Sequence, residues 1–321
     1  MNRDAGRPPW TMSLRRFRQI AVVTVAGVCL LTVAGAVVRL TGSGLGCDDW
    51  PNCNDERFID VSSGHAAIEQ LNRLLSGVIG VPTLLMAVGA FRVWPRRSGL
   101  RWPSLAVLAT ILGNGVVGGL AVRGDLHPSL VQSHFLLAMG SIGFGLVAVH
   151  RSGPERIVDR ASVGVTPGSA RLFVALGGLT AASLVTGTVV TGAGPHAGDE
   201  TARRYGFDIS TVAMFHSVTV WATVAVFLLL VVSLRRAGRY ERFAAACSTW
   251  MFLAVLQGGI GYLQYFSGVP ALLAGAHVAG ATALWVATVW LVQAGLEPLD
   301  RGTRTVHRIE TTIPAGGVVQ A

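Results

Sequence analysis

The sequence predicts an all-α membrane protein, with eight transmembrane helices arranged as two tandem four-helix bundles related by an internal repeat. Three observations carry that reading. Of the 321 residues, 51% are hydrophobic and only 13% charged, where an ordinary soluble domain carries about 25% charge. Apolar runs of spanning length, roughly 20 residues each, follow one another at about 20–40, 69–91, 104–122, 129–149, 171–192, 211–234, 243–265 and 270–293. Stretches of the first half also recur in the second.

The first run follows an arginine-rich start and contains Ala34, Gly35 and Ala36, a pattern that also suits signal-peptide cleavage. It is longer than a signal segment and takes part in the repeat, so it is read as a retained helix. Backbone groups in lipid must find their partners within the segment, which makes each run a helix. Many of the 40 glycines fall inside the runs, among them Gly113, Gly115, Gly118, Gly119, Gly258, Gly259 and Gly261. No strand precedes them, so they read as close helix packing and not as a phosphate loop. The repeat sets GAVVRLTGSG (35–44) against GTVVTGAG (187–194), and GGLAVRGDLHPSLVQSH (118–134) against GGIGYLQYFSGVPALLAGAH (258–277). Two halves of like orientation result, 1–160 and 161–321.

All 26 basic residues are arginines, giving a net charge of +9. Five precede the first run (Arg3, Arg7, Arg15, Arg16, Arg18). Others fall after the second (Arg92, Arg96, Arg97, Arg101), the fourth (Arg151, Arg156, Arg160, Arg171) and the sixth (Arg235, Arg236, Arg239, Arg242), and the tail adds Arg301, Arg304 and Arg308. That places 20 of the 26 on one side, expected to be cytoplasmic together with both termini. The arginines lie between apolar runs and not in a patch with interleaved aromatics, so nucleic acid is not an expected partner.

Ionisable residues inside spans are costly to bury and mark function. His134, His216 and His277 lie at matching depths in the fourth, sixth and eighth runs, expected in the outer half of the bilayer. One such histidine alone is ordinarily a hydrogen-bonded packing residue; three at one level form the pattern of haem ligation. The second half holds the pair His216 and His277. In the first half His134 matches His277, but the position matching His216 is Asn72, accompanied by His65, Glu69 and Arg73. Spacings of four and three put His65, Glu69 and Asn72 on one helical face. Two imidazoles saturate a haem iron and suit electron transfer, whereas an open position suits chemistry. Glu69 reads either as a proton-handling carboxylate or as an acid favoured by a helix N-terminus. His150 and His307 receive no role.

These segments resemble the haem A synthases of the bacterial CtaA and mitochondrial Cox15 family. The likeness is carried by GCDDWPNC (46–53), EQLNRLLSG (69–77), HPSLVQSHFLLA (127–138), FHSVTVW (215–221) and GAHVAGATALW (275–285). The resemblance implies a haem b on His216 and His277. It also implies a first half that receives haem O and oxidises its methyl group to the formyl of haem A by successive hydroxylations. There the family's glutamate matches Glu69 and one histidine matches His134, while the second expected histidine is Asn72, leaving His65 as a substitute ligand or His134 acting alone. His65, Asn72, Arg73 and His134 form the expected substrate set. Cys47 and Cys53 face the expected oxidising side, where a loop-closing disulfide is stable; the family often carries a pair there, structural or redox-active. Arg39, Arg73, Arg203 and Arg204 are open between propionate binding and snorkelling, and His196 reads as a solvated loop histidine.

The expected location is the bacterial cell membrane, with the haem sites towards the outer face. Beyond haem O and the bilayer, a haem O synthase and a second copy of the chain are candidate partners, and the sequence names no electron donor. The competing class is a di-haem b-type cytochrome that relays electrons without substrate chemistry. A transporter is disfavoured, because no run looks like a broken helix around a substrate.

Overall fold

The structure, a computed structural model, describes residues 10–153 and 165–296. Arg3, Arg7, Arg156, Arg160, Arg301, Arg304, Arg308 and His307 lie outside these residues, as does the expected boundary between the halves. Among the described residues, eight helices are long and apolar enough to cross a membrane. They are α1 (Leu14–Leu40), α2 (Gly64–Arg92), α3 (Arg101–Arg123), α4 (Pro128–Arg151), α5 (Pro167–Ala193), α6 (Ile209–Arg236), α7 (Tyr240–Phe266) and α8 (Ala271–Gly295). The chain is a multi-pass membrane protein.

The helices extend beyond the apolar runs at most ends, because polar caps continue them. Ser13, Ser63, Thr166 and Asp208 each accept the backbone N–H three residues on, so α1, α2, α5 and α6 start on satisfied donors. Arg171, expected in a loop, therefore lies within α5, and Arg242 lies within α7, which starts without a side-chain cap. Helix α2 begins five residues before its apolar run, which brings His65 into its first turn.

Neighbouring helices form two rings. In the first, α1 packs on α2 and α4, and α3 packs on α4 and α2; in the second, α5 packs on α6 and α8, and α7 on α8 and more lightly on α6. The diagonal pairs α2/α4 and α6/α8 do not pack closely. A seam of α1, α4, α5 and α8 joins the rings, and Trp285 Nε1 of α8 donates to the Met139 carbonyl of α4 across it at 2.8 Å. Each ring has its own core. Phe17, Met86, Ile142 and Leu146 fill the first, and Phe173, Phe227, Leu230 and Trp250 the second, where Phe227 stacks on Trp250 with ring centroids 4.1 Å apart. Many other large apolar side chains, Leu272 and Phe266 among them, point outward, as lipid-facing residues do.

At one end of the bundle the only sheet among the described residues, β1 (Met12–Ser13) beside β2 (Val93–Trp94), ties the start of α1 to the end of α2. At the other end the α1–α2 and α5–α6 loops cover the helices and touch each other through Gly44 N–H donating to the Gly198 carbonyl at 2.9 Å. A small apolar cluster of Ala121, Leu126, Ala197 and Ala202 lies beneath that contact.

Candidate functional site

The three histidines are placed by one device used in successive helical hairpins. His134, His216 and His277 stand six, seven and six residues after the first residues of α4, α6 and α8, about 9–10 Å along each axis. In the preceding helix a glycine lies five or six residues before the end: Gly118 in α3, Gly187 in α5 and Gly261 in α7. A Cβ at these glycines would meet the ring Cε1 of His134 at 3.2 Å, of His216 at 3.1 Å and of His277 at 3.0 Å. Each imidazole thus approaches, through its Cε1, a backbone that only glycine leaves bare. The first hairpin departs from this. Gly35 holds the corresponding place in α1 and Asn72 stands eight residues into α2, yet nothing comes within 4 Å of a Cβ at Gly35. The Asn72 Oδ1 is buried without a hydrogen-bond partner.

The histidine-bearing helices α6 and α8 stand on the diagonal of the second ring. Helix α4, which carries His134, stands on the corresponding diagonal of the first ring, whose other corner, α2, carries Asn72. Among the described residues no three His, Cys, Asp or Glu converge on a metal position. Histidines used singly or in pairs suit a metal that brings its own equatorial donors, as haem does.

Each ring has its own supporting polar group, and none of these was identified from the sequence. The His216 Nδ1 lies 3.1 Å from Thr186 Oγ1. The amide of Asn114, oriented so that donors meet acceptors, donates to the His134 carbonyl at 2.8 Å and reaches its Nδ1 at 3.1 Å. Gln257 donates to the His277 carbonyl at 2.9 Å, while its own Oε1 and the His277 Nδ1 are buried without partners. The available signal was polarity itself, since Asn114 and Gln257 interrupt long apolar runs.

Glu69 and Arg73 anchor the disulfide loop. Glu69 is 5% exposed; its Oε2 accepts the Cys47 N–H at 2.8 Å, and its Oε1 accepts Arg73 Nη2 at 2.7 Å and Nε at 3.1 Å. Arg73 Nη1 donates to the carbonyls of Asp49 and Asn52 at 3.0 and 2.9 Å, so its donors are committed to Glu69 and the loop. The loop closes through the Cys47–Cys53 disulfide, with both cysteines buried. Cys29 and Cys247 are free. From α3, Arg123 donates to the Trp50 carbonyl at 2.7 Å and pairs with Asp49 at 3.3 Å. The Trp50 N–H, then Arg123, hold the half-buried Asp49 carboxyl below its ordinary range. Trp50 lies against Gly119, where a Cβ would meet its ring at 2.6 Å. The loop tip is thus seated one residue from Gly118, the glycine beneath His134.

The other expected residues lie in the covering loops or at the helix ends beneath them. His65 is exposed and its Nδ1 is bonded to Ser43 Oγ at 2.9 Å. It stands seven residues before Asn72, about 10 Å along the axis, so it is not at the level of His134. Thr201, through its N–H and hydroxyl, lowers the nearby Asp199 carboxyl, with His65 contributing. Arg39 donates to the Thr191 carbonyl at 3.0 Å, while Arg203 and Arg204 are exposed. His196 is not simply solvated: its Nε2 donates to the Val269 carbonyl at 2.7 Å, tying the α5–α6 loop to the start of α8.

Comparison with known proteins fits this arrangement. The family model COX15-CtaA, described as cytochrome oxidase assembly protein, matches residues 18–63 and 56–289. Three relatives are each named heme A synthase. That of Alkalihalophilus pseudofirmus is 28% identical over 129 residues, 40% of this chain and 43% of that protein. That of Geobacillus kaustophilus is 28% identical over 126 residues, covering 39% and 40%, and that of Shouchella clausii 29% over 119 residues, covering 37% and 40%. The chain thus spans about two fifths of the length of these relatives.

Proposed function

The chain belongs to the COX15-CtaA family of cytochrome oxidase assembly proteins, and from that membership we propose that it is a haem A synthase. It oxidises the methyl group of haem O to the formyl of haem A by successive hydroxylations, in the cell membrane, with both termini cytoplasmic and the disulfide loop on the outer face. The observation that carries this reading is the set of three histidines at one depth, each seated on a glycine of the preceding helix.

His216 and His277 are the proposed ligands of haem b. The residues fit it: they stand on helices at the diagonal corners of a helix ring, a bare glycine backbone seats each imidazole, and the His216 Nδ1 is already paired with Thr186. When bound, haem b supplies reversible one-electron transfer. The protein's part is to hold both rings by Gly187 and Gly261, to keep His277 in place through the Gln257 amide, and to surround the pair with apolar helix.

The substrate half is proposed to be the first ring, with His134 the single histidine for haem O and Asn72 leaving the opposite corner open. The disulfide loop covers this ring. Glu69 is its carboxylate, held by the Cys47 N–H and Arg73 where the loop meets α2. The competing relay would need a second histidine pair, and the corner that would hold it carries Asn72 with open space before Gly35. Extraction of pigment from cells making the protein together with haem O tests the proposal: haem A or hydroxylated haem O is expected, and unchanged haem O alone would return the relay reading.

A further inference from the structure

The polar side chains around His216 continue well beyond its own partner. Along the α5–α6 interface, Thr186 Oγ1 lies 3.0 Å from Thr219 Oγ1, Ser183 donates to Thr219 Oγ1 at 3.2 Å, and Ser183 Oγ lies 3.3 Å from Thr223 Oγ1. Four hydroxyls thus run in a chain from the His216 ring into the helix pair. Nothing comparable supports the other proposed ligand, since the His277 Nδ1 is buried without a partner.

Proton accounting gives the chain a direction. Thr186 has one hydroxyl proton, and three acceptors surround it: the Ala182 carbonyl at 3.1 Å, the Ser183 carbonyl at 3.2 Å and Thr219 Oγ1 at 3.0 Å. Spent on any of these, it leaves the Thr186 lone pairs facing His216 Nδ1, which must then carry the proton. The Thr219 proton is in turn taken by the His216 carbonyl at 2.7 Å. An Nδ1–H ring has its Nε2 lone pair free for a metal, and a hydrogen bond from Nδ1 raises the basicity of that lone pair.

We propose that Thr186 is a positioning residue for His216, fixing its Nδ1–H tautomer, and that the hydroxyl chain makes the two haem b ligands electronically unequal, His216 the stronger donor. This rests on the assignment of haem b to His216 and His277. A stronger donor stabilises ferric over ferrous iron, so loss of the Thr186 hydroxyl raises the midpoint potential of haem b.

The test is a redox titration of the haem b band in the purified full-length protein, comparing wild type with Thr186→Val, Thr186→Ser and Thr219→Val. Thr186→Val is expected to shift the midpoint upward, Thr186→Ser to stay at the wild-type value, and Thr219→Val to shift upward by less. A Thr186→Val protein with haem bound at an unchanged potential overturns the proposal, as does Thr186→Ser behaving like Thr186→Val. Should Thr186→Val retain no haem, Thr219→Val decides: a raised potential supports the chain and an unchanged one removes it. Failure of the underlying assignment looks different, as a wild-type protein whose haem b spectrum survives both His216→Ala and His277→Ala.

Discussion

A ring lying within 3.0–3.2 Å of where a Cβ would stand must shift by about a few tenths of an ångström if that Cβ is added. Gly187→Ala and Gly261→Ala are therefore expected to lower haem b content by about tenfold, the order seen when a group supporting a metal ligand is lost, and Gly118→Ala to lower haem A formation while haem b stays. Haem extraction and the optical spectrum of each variant check this. The histidines were legible because an ionisable residue inside an apolar run is conspicuous. Their seats were not. The repeat alignment placed Gly118 against Gly258, but the glycine beneath His277 is Gly261, and nothing comes within 4 Å of a Cβ at Gly258; a run with three glycines in four positions does not say which one faces the neighbouring helix.

Glu69 illustrates the same limit in a polar residue. Its identity stood out in the sequence, but its partners, Cys47 from the loop and Arg73 one turn on, depend on how that loop folds back. Glu69→Ala leaves Arg73 without its carboxylate and holding the loop only through the Asp49 and Asn52 carbonyls. It is expected to abolish haem A formation and to speed reduction of the disulfide by added thiol. Glu69→Gln is expected to abolish haem A formation while the disulfide stays slow to reduce, which separates the carboxylate from the anchor. Normal haem A with Glu69→Gln would leave Glu69 an anchor only.

At the level of elements, the apolar runs located all eight helices and missed mainly their ends, because hydropathy follows the lipid-facing stretch while capping side chains set where a helix starts. The early start of α2 from Ser63 carries His65 into the loop layer and away from the depth of Asn72. The α6 cap is Asp208, whose carboxyl is pulled down to about 2 chiefly by the Ser210 hydroxyl and then by the Thr211 N–H and hydroxyl. A depressed carboxyl stabilises the fold above its unfolded value, near 3.9, and that contribution fades as pH falls from there through the folded value of about 2. Asp208→Ala is expected to lower the thermal midpoint at pH 7 and to flatten this acid-side loss, with Asp208→Asn retaining most of the cap at pH 7; thermal melts of the three proteins between pH 7 and 3 measure it. The loop between α1 and α2 gives a simpler check. Cys47 and Cys53 are expected to resist thiol labelling in denatured, unreduced protein and to label after reduction.

The molecule as a whole consists of two helix rings with separate cores, joined along α1, α4, α5 and α8 and covered at one end by interlocking loops. Composition and run length were enough for the class of fold. Two four-helix groups were expected, but which helices stand side by side within and between them was not legible, because contacts such as Trp285 with the Met139 carbonyl join residues 146 positions apart. The proposed division of labour, haem b in the second ring and substrate in the first, places one histidine where a loss should stop chemistry without disturbing the cofactor. The most direct test is the haem inventory of cells carrying His134→Ala. The account predicts haem O without haem A, and an undiminished haem b signal from His216 and His277. Normal haem A in that variant would contradict it and remove the first ring from the reaction.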